Sequence, residues 1–238
     1  MRALLAVLVV AAACSAPHPA LPTQGSVPAA SDRVDPPADT PQQMAQHFQD
    51  AVQIKDAVIA GDLAGVGPAA RRLRERTDPM PASWRPFMTA KDELATRAVS
   101  ARSLRAAARA AGGLANSCGE CHEALGAGPR FESSTAPPDP AAHDAPRHML
   151  RHQWAADRMW EALVSRDDDA WTAGAAALVD APRLRADLTA HGELSDDVLE
   201  LNAQVHALGD RARTTTDWPA RAELYGEFLA TCAACHLG

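Results

Sequence analysis

The sequence predicts an all-α fold arranged as two tandem four-helix bundles, each with a Cys-x-x-Cys-His motif at its C-terminal end. Two observations predict this fold class. Apolar residues recur at helical spacing along most of the chain, and a long stretch of the sequence repeats itself. Runs that alternate apolar and polar residues, which would indicate strands, are absent from the sequence.

The repeat becomes visible when the sequence is shifted against itself. With a shift of 105 residues, segment 44–62 falls on 149–167 without a gap. Nearer the end of each copy, a shift of 114 residues places Gly112 on Gly226. A longer internal loop in the second copy accounts for the difference. We therefore predict a first domain, a linker and a second domain at 41–125, 126–146 and 147–238.

Helical spacing is clearest at the start of each copy, where a core-facing stripe recurs at steps of three and four residues. In the first copy this stripe comprises Met44, His47, Ala51, Ile54 and Val58. Gly61 ends that helix, and Asp62 is placed to cap the next one. The further predicted helices lie at about 63–76, 83–98, 100–125, 146–165, 168–180, 195–209 and 217–236, the last capped by Thr216 or Asp217.

Residues 1–14 have the features of an export signal. Arg2 provides a positive start, and the apolar run from Ala3 to Ala13 is too short for a bilayer-spanning helix of about 20 residues. The run ends at Cys14 in a pattern that resembles the cleavage box of bacterial lipoproteins, in which Cys14 would carry the lipid. The alternative is an ordinary secretory cleavage site at which Cys14 is removed or incidental. Both interpretations predict an exported, periplasmic protein, and the first predicts a membrane-anchored lipoprotein.

Composition and net charge narrow the range of possible binding partners. Residues 15–40 are rich in Pro, Ala, Ser and Asp, so we predict a disordered tether there. A net charge of −7 argues against nucleic acid and against an anionic membrane face as partners, which leaves the possible lipid as the only membrane contact. An aromatic content of 4% is low for a chain that builds a large core alone, and bulky planar cofactors would supply the missing filling.

Four of the five cysteines belong to two copies of one pentapeptide, at 118–122 and 232–236. Residues three apart share a helix face, so both thiols can reach the vinyl groups of one haem while the adjacent histidine binds iron. A zinc site would bring the two cysteine pairs within about 20 residues, and a thioredoxin-like site expects a βαβ context. The motifs therefore predict two haem c groups, attached to Cys118, Cys121, Cys232 and Cys235 with His122 and His236 as proximal iron ligands.

The position of the motif selects the type of cytochrome. Only Leu237 and Gly238 follow His236, so a second axial ligand of that iron must come from upstream. With the motif on the last helix of each copy, the chain resembles the class II c-type cytochromes, the cytochrome c-prime family, over about 41–125 and 146–238. Each copy is shorter than is usual in that family. The resemblance implies up-down-up-down bundles that transfer electrons or, where an iron position is open, bind small gases.

The distal iron ligand is expected at the start of the first helix, because this point and the end of the fourth helix lie together in such a bundle. A buried imidazole needs a polar partner, which makes His47 and His152 the preferred candidates. Met44 and Met149 are the alternatives, although methionine on a core stripe is commonly packing. An open iron position is the third possibility. The family favours Met or no ligand here, so a histidine would be a departure.

The other histidines are not expected to bind iron. His143 and His148 lie in or beside the predicted linker and should be solvated. His191 and His206 have no counterpart in the first copy.

Glycine recurs six residues before each motif, at Gly112 and Gly226. Within a helix, glycine is about 1 kcal/mol less favourable than alanine. The recurrence therefore predicts a close approach at these positions, either by the porphyrin or by another helix.

These features favour an exported electron carrier, with two low-spin haems relaying single electrons to redox proteins of the cell envelope and no substrate transformed. The alternative is a gas-binding or gas-sensing protein with at least one five-coordinate iron. A dihaem peroxidase is disfavoured by the short chain, the late position of both motifs and the lack of evident acid–base residues.

Overall fold

The computed structural model of the chain describes residue 38 and residues 40–76, 80–131, 136–138, 145–179 and 194–237. Every regular element in these ranges is a helix, and no strand occurs among them. The predicted all-α class is thereby confirmed. None of the helices in these ranges is both long and apolar enough to span a bilayer.

Several sequence predictions lie outside the described residues. These are the export signal at 1–14 with Cys14 and almost all of the tether at 15–40. His143 and His191 also lie outside them.

In its described residues, the first copy has four α-helices and a short 3-10 turn at Ala82–Trp84. Asp62 caps the second helix as predicted, its carboxylate accepting a hydrogen bond from the Gly65 amide at 2.9 Å. The fourth helix begins a few residues later than predicted because Ser103 caps it. The helices are α1 (Thr40–Ile59), α2 (Leu63–Glu75), α3 (Arg85–Val99) and α4 (Leu104–Leu125).

The second copy contains α5 (Ala145–Ser165), α6 (Asp168–Val179), α7 (Asp196–Thr214) and α8 (Trp218–Leu237). Of the two predicted caps for α8, Asp217 accepts a hydrogen bond from the Ala220 amide at 3.0 Å. The prediction that the third helix ends near 209 is wrong. Gly209 lies inside α7 as a packing position, since a Cβ there would come within 2.7 Å of the Leu178 Cβ on α6.

Each described helix packs against the next described one within its copy. Contacts of α4 with α8, of α4 with α5 and of α1 with α8 join the two copies. One hydrophobic cluster runs through both copies. The predicted stripe of α1 contributes Ala51, Ile54 and Val58, all almost completely buried. His47 on that stripe is buried too, whereas Met44 is half-buried.

Helices α4 and α8 cross where the recurrent glycines lie. A Cβ on Gly112 would come within 2.4 Å of the Ala222 carbonyl oxygen, and a Cβ on Gly226 within 3.2 Å of the Ala108 carbonyl oxygen. Ala108 and Ala222 are themselves related by the 114-residue shift. The two helices therefore meet in a two-fold-like contact, and the close approach predicted from the glycines is one of helix to helix.

Candidate functional sites

Both cysteine motifs lie in the last two turns of a long helix, residues 118–122 in α4 and residues 232–236 in α8. The four cysteines are half-buried free thiols. Each motif therefore presents two thiols, three residues apart, next to a histidine near the end of a packed helix.

The histidine of each motif reaches across to the other copy. The His122 Nδ1 donates to the Val164 carbonyl oxygen at 2.9 Å, and the His236 Nδ1 donates to the Ile59 carbonyl oxygen at 2.6 Å. Ile59 and Val164 are related by the 105-residue shift. Both carbonyls lie in the last turn of the first helix of a copy, where no intrahelical donor is left for them.

This bond defines the state of the imidazole. A carbonyl oxygen can only accept, so Nδ1 carries a proton, and in the neutral ring Nε2 keeps the lone pair. Burial lowers the pKa of His122, with the Arg166 charge adding to that effect and the bond to Val164 opposing it. The His122 imidazole is therefore neutral around pH 7 and offers one nitrogen for coordination.

The thiols are unsuited to disulfide exchange. Burial raises the pKa of Cys118 to about 11 and the pKa of Cys121 and Cys232 to about 12, and it also raises the pKa of Cys235. Redox-active Cys-x-x-Cys pairs work with a lowered thiol pKa. The environment of these motifs is the opposite of the one that a thioredoxin-like function needs.

A cavity of about 360 Å³ lies beside the second motif. Cys232, Cys235 and His236 of α8 line it, and Met149 and His152 of α5 line it as well. The structure thus brings together, around one space, every residue that the sequence nominated for the second haem. Apolar side chains of α7 complete the wall: Val198, Leu201 and Val205.

The candidate distal residues differ in burial. His47 and His152 are buried, whereas Met44 is half-buried and Met149 is 37% exposed. Helix α1, which carries Met44 and His47, packs against both α4 and α8.

Three histidines form a buried cluster, and His152 is the member that also lines this cavity. They are His148 and His152 on α5 and His206 on α7, with exposed fractions of 2%, 7% and 2%. Their ring centroids lie 4.2 Å apart for His148 and His152, and 5.6 Å from either of these to His206. The prediction that His148 is solvated is wrong. Helix α5 already begins at Ala145, so His148 lies on it and faces α7, where its Nε2 bonds to the Asn202 side-chain oxygen at 2.7 Å.

Sequence reasoning missed this cluster. The four-residue spacing of His148 and His152 was a readable signal, because it places both on one face of a helix. The third member depends on which face of α7 packs against α5. The His206 Nδ1 donates to the Leu178 carbonyl oxygen at 2.5 Å, a contact between helices that spacing does not reveal.

Arg166 lies beside the first motif although it belongs to the second copy. Its guanidinium donates to the side-chain oxygen of Asn116 at 2.9 Å and to the Asn116 carbonyl oxygen at 3.0 Å. Its Nε lies 3.5 Å from the Glu123 carboxylate. Gly119 makes this approach possible, since a Cβ there would come within 2.1 Å of the Leu163 carbonyl oxygen and 2.9 Å of the Arg166 Nε.

Comparison with known proteins gives no match, whether with protein-family models, with curated proteins or with solved structures. The resemblance to class II cytochromes therefore stays a prediction. What the protein does has to be inferred from its own motifs and their geometry.

Proposed function

We propose that this protein is a dihaem c-type cytochrome that transfers electrons outside the cytoplasm, with one haem c on each motif. Its helices would form two class II-like four-helix bundles in tandem. Its partners would be redox proteins of the cell envelope, and Cys14 would carry a lipid that anchors it to a membrane. The haem-binding residues are Cys118 and Cys121 with His122, and Cys232 and Cys235 with His236.

The observation that carries this proposal is the pair of bonds from the motif histidines to Val164 and Ile59. A histidine that ligates a metal almost always donates its other ring N–H to a carbonyl, carboxylate or water, which fixes its tautomer and orientation. His122 and His236 both have this arrangement, at equivalent places in the repeat. Repetition of the arrangement at both motifs supports iron ligation over incidental packing.

The cavity beside the second motif supports the same proposal. It has largely apolar walls, and its volume of about 360 Å³ falls in the range of about 300–1,000 Å³ that small-molecule and cofactor sites occupy. Cys232, Cys235 and His236 lie on one of its sides. A bulky, mostly apolar group attached to these thiols would fill that space.

Bound haem would supply one-electron chemistry at iron, and the protein would set its potential through axial ligands and burial. We propose His47 and His152 as the distal ligands, with Met44 and Met149 as the alternatives. Nothing in the proposal requires a substrate or an acid–base residue, so the protein would not be an enzyme.

One observation favours gas binding at the second site. His152 lies within the histidine cluster, with its ring 4.2 Å from that of His148, so its imidazole has neighbours other than an iron. Met149 is 37% exposed. An iron on the second motif that neither side chain reaches would keep an open position.

Haem content tests the main proposal. The full chain, exported in cells with a cytochrome c maturation system, is expected to carry two covalent haems per chain by pyridine haemochrome assay and intact mass. The double variants Cys118→Ala/Cys121→Ala and Cys232→Ala/Cys235→Ala should each retain one. A wild-type chain without covalent haem, beside a known cytochrome that matures in the same cells, would overturn the proposal.

Carbon monoxide separates the electron carrier from the gas-binding protein. Low-spin ferric and ferrous spectra that do not change with the gas indicate two six-coordinate irons, and His47→Ala and His152→Ala then assign the distal ligands. A high-spin spectrum that shifts with carbon monoxide would remove His47 or His152 as a ligand at that site and favour gas binding.

A further inference from the structure

The three buried histidines bring three possible ligand nitrogens into one small volume. One ring nitrogen from each of His148, His152 and His206 lies within 4.8 Å of the other two. In a tetrahedral site with metal–nitrogen distances of about 2.0–2.1 Å, such nitrogens stand about 3.4 Å apart. A bound ion would have to draw the three nitrogens together by up to about 1.4 Å.

Two ring nitrogens of the cluster, the His148 Nδ1 and the His152 Nε2, are buried without a hydrogen-bond partner in the structure. A buried polar atom left without a partner is unfavourable, and it calls for an explanation such as an ion. Both side chains are more than nine-tenths buried. A metal ion between the three rings would supply the partner for both nitrogens.

The surroundings already orient the rings for that role. The Asn202 side-chain oxygen accepts from the His148 Nε2, and the Leu178 carbonyl accepts from the His206 Nδ1. Each bond fixes the tautomer, so that in the neutral ring the other nitrogen carries the lone pair. Metal-binding histidines characteristically have such a second partner, which fixes their tautomer.

The first copy lacks this cluster. Under the 105-residue shift, His148 and His152 correspond to Gln43 and His47. The Leu73 carbonyl, which corresponds to that of Leu178, accepts from the Lys91 ammonium at 3.0 Å where the second copy uses His206. The fold is thus built in one copy without three imidazoles, so packing alone does not require them.

We propose that His148, His152 and His206 form a binding site for a divalent first-row transition metal, with Zn²⁺ as the reference ion. Neutral imidazoles suit zinc, copper and nickel, whereas Mg²⁺ and Ca²⁺ take oxygen ligands. The site is separate from the haem thiols, and it competes with the proposed second haem iron for His152. It uses His152, so an occupied site leaves the second haem iron with Met149 or with an open position.

The test measures metal binding by the full chain, purified with whatever haem it carries and stripped with a chelator. Dialysis against Zn²⁺ followed by elemental analysis, corrected for iron, should give one tightly bound zinc per chain that excess Mg²⁺ does not displace. His148→Gln and His206→Lys install the residues of the first copy, and each should weaken Zn²⁺ binding at least 100-fold. Gln204→Ala, at an exposed position of α7, is the control and should leave the affinity unchanged.

Co²⁺ provides the second measurement, which needs no variant. The wild-type chain loaded with Co²⁺ should show the visible bands of a four- or five-coordinate site, and X-ray absorption at the metal edge should show three imidazole nitrogens. Binding of Zn²⁺ that is no tighter in the wild type than in the His148→Gln/His206→Lys variant would overturn the proposal. So would X-ray absorption with fewer than three imidazoles.

Discussion

Arg166 has a left-handed backbone conformation. The residue at the equivalent place in the first copy is Gly61, which has the same conformation. The φ of Arg166 is +58°, the only positive φ at a described non-glycine residue, and that of Gly61 is +73°. A side chain with a Cβ pays about 1–2 kcal/mol in this left-handed region. The guanidinium offsets that cost through its two hydrogen bonds to Asn116 and its place 5.0 Å from the Trp218 ring centre.

Two substitutions at Arg166 separate the cost of its backbone strain from the stabilisation by its side-chain contacts. Arg166→Ala and Arg166→Gly both lose the guanidinium, so both should be less stable than the wild type. Only the alanine variant keeps the left-handed strain, and we expect it to be the less stable of the two by about 1 kcal/mol after allowing for the greater freedom of unfolded glycine. Urea denaturation followed by circular dichroism measures the difference. Equal stabilities would contradict the assigned strain.

Tyr225 is the single tyrosine of the chain, which makes its ionisation directly observable. It is fully buried, and its hydroxyl donates to the Ala156 carbonyl oxygen at 2.8 Å. Burial raises the pKa of Tyr225 well above its ordinary value, with the negative charges of Asp157 and Asp56 adding to the shift. The folded chain therefore keeps a proton that the unfolded chain loses near about pH 10.

The sign of the pH effect follows from that difference. The contribution of Tyr225 to stability is complete below about pH 10 and is lost as the pH rises further, by up to about 1.4 kcal/mol per pH unit. Tyrosinate absorbance should be absent from the folded protein at about pH 11 and appear on unfolding. Tyr225→Phe should remove this part of the alkaline destabilisation while leaving the rest. Titration of the folded protein at an ordinary tyrosine pKa would refute the assignment.

At the scale of elements, the crossing of α4 and α8 depends on small residues. Gly112 faces the Ala222 carbonyl so closely that a methyl group would overlap it at 2.4 Å, whereas the contact of Gly226 is looser, at 3.2 Å. Buried alanines flank the crossing on α4, which lets the two helix backbones approach. The crossing therefore tolerates added volume unequally on its two sides.

Alanine at three glycines tests this asymmetry. Gly112→Ala should destabilise the protein by about 1–3 kcal/mol, because overpacking outweighs the gain in helix propensity. Gly226→Ala should change stability little, since the propensity gain of about 1 kcal/mol offsets a mild clash. Gly67→Ala in α2, where the nearest atom is the end of the Arg71 side chain at 3.4 Å, should stabilise. The urea denaturation midpoints rank the three variants by stability. A Gly112→Ala variant as stable as the wild type would contradict the close contact between Gly112 and the Ala222 carbonyl.

The elements were largely predictable from the sequence because local chemistry defines them. Caps such as Asp62 and Asp217 act within their own turn, and the α1 stripe follows from side-chain spacing. The helix at 195–209 was predicted to end too early, because the packing of Gly209 against α6 is not a local property.

The candidate sites were predictable only in part, for the same reason. The thiols and histidines of the motifs were predicted from their Cys-x-x-Cys-His spacing. The carbonyls of Ile59 and Val164 that hold the motif histidines were not, because they come from the other copy. His148 was misplaced because its burial depends on α7.

At the scale of the whole molecule, the two copies depend on one another. Each motif histidine bonds to the first helix of the other copy, and one hydrophobic cluster includes residues of both. Lys55 of α1, almost completely buried, forms an ion pair with Asp157 of α5. Because of these contacts, we do not expect the two copies of the sequence repeat to fold independently.

We therefore expect the chain to unfold in one cooperative transition rather than in two. Ile54→Ala and Met159→Ala remove aligned, fully buried side chains from the first and the second copy, and each should cost about 2–5 kcal/mol. If the copies form one unit, both variants shift the same calorimetric transition, whose calorimetric and van't Hoff enthalpies agree. Two resolved transitions, with each variant moving only one of them, would show instead that the α4–α8 contact is too weak to couple the copies. In that case each motif histidine would lose its carbonyl partner as soon as the copy that carries that carbonyl unfolds.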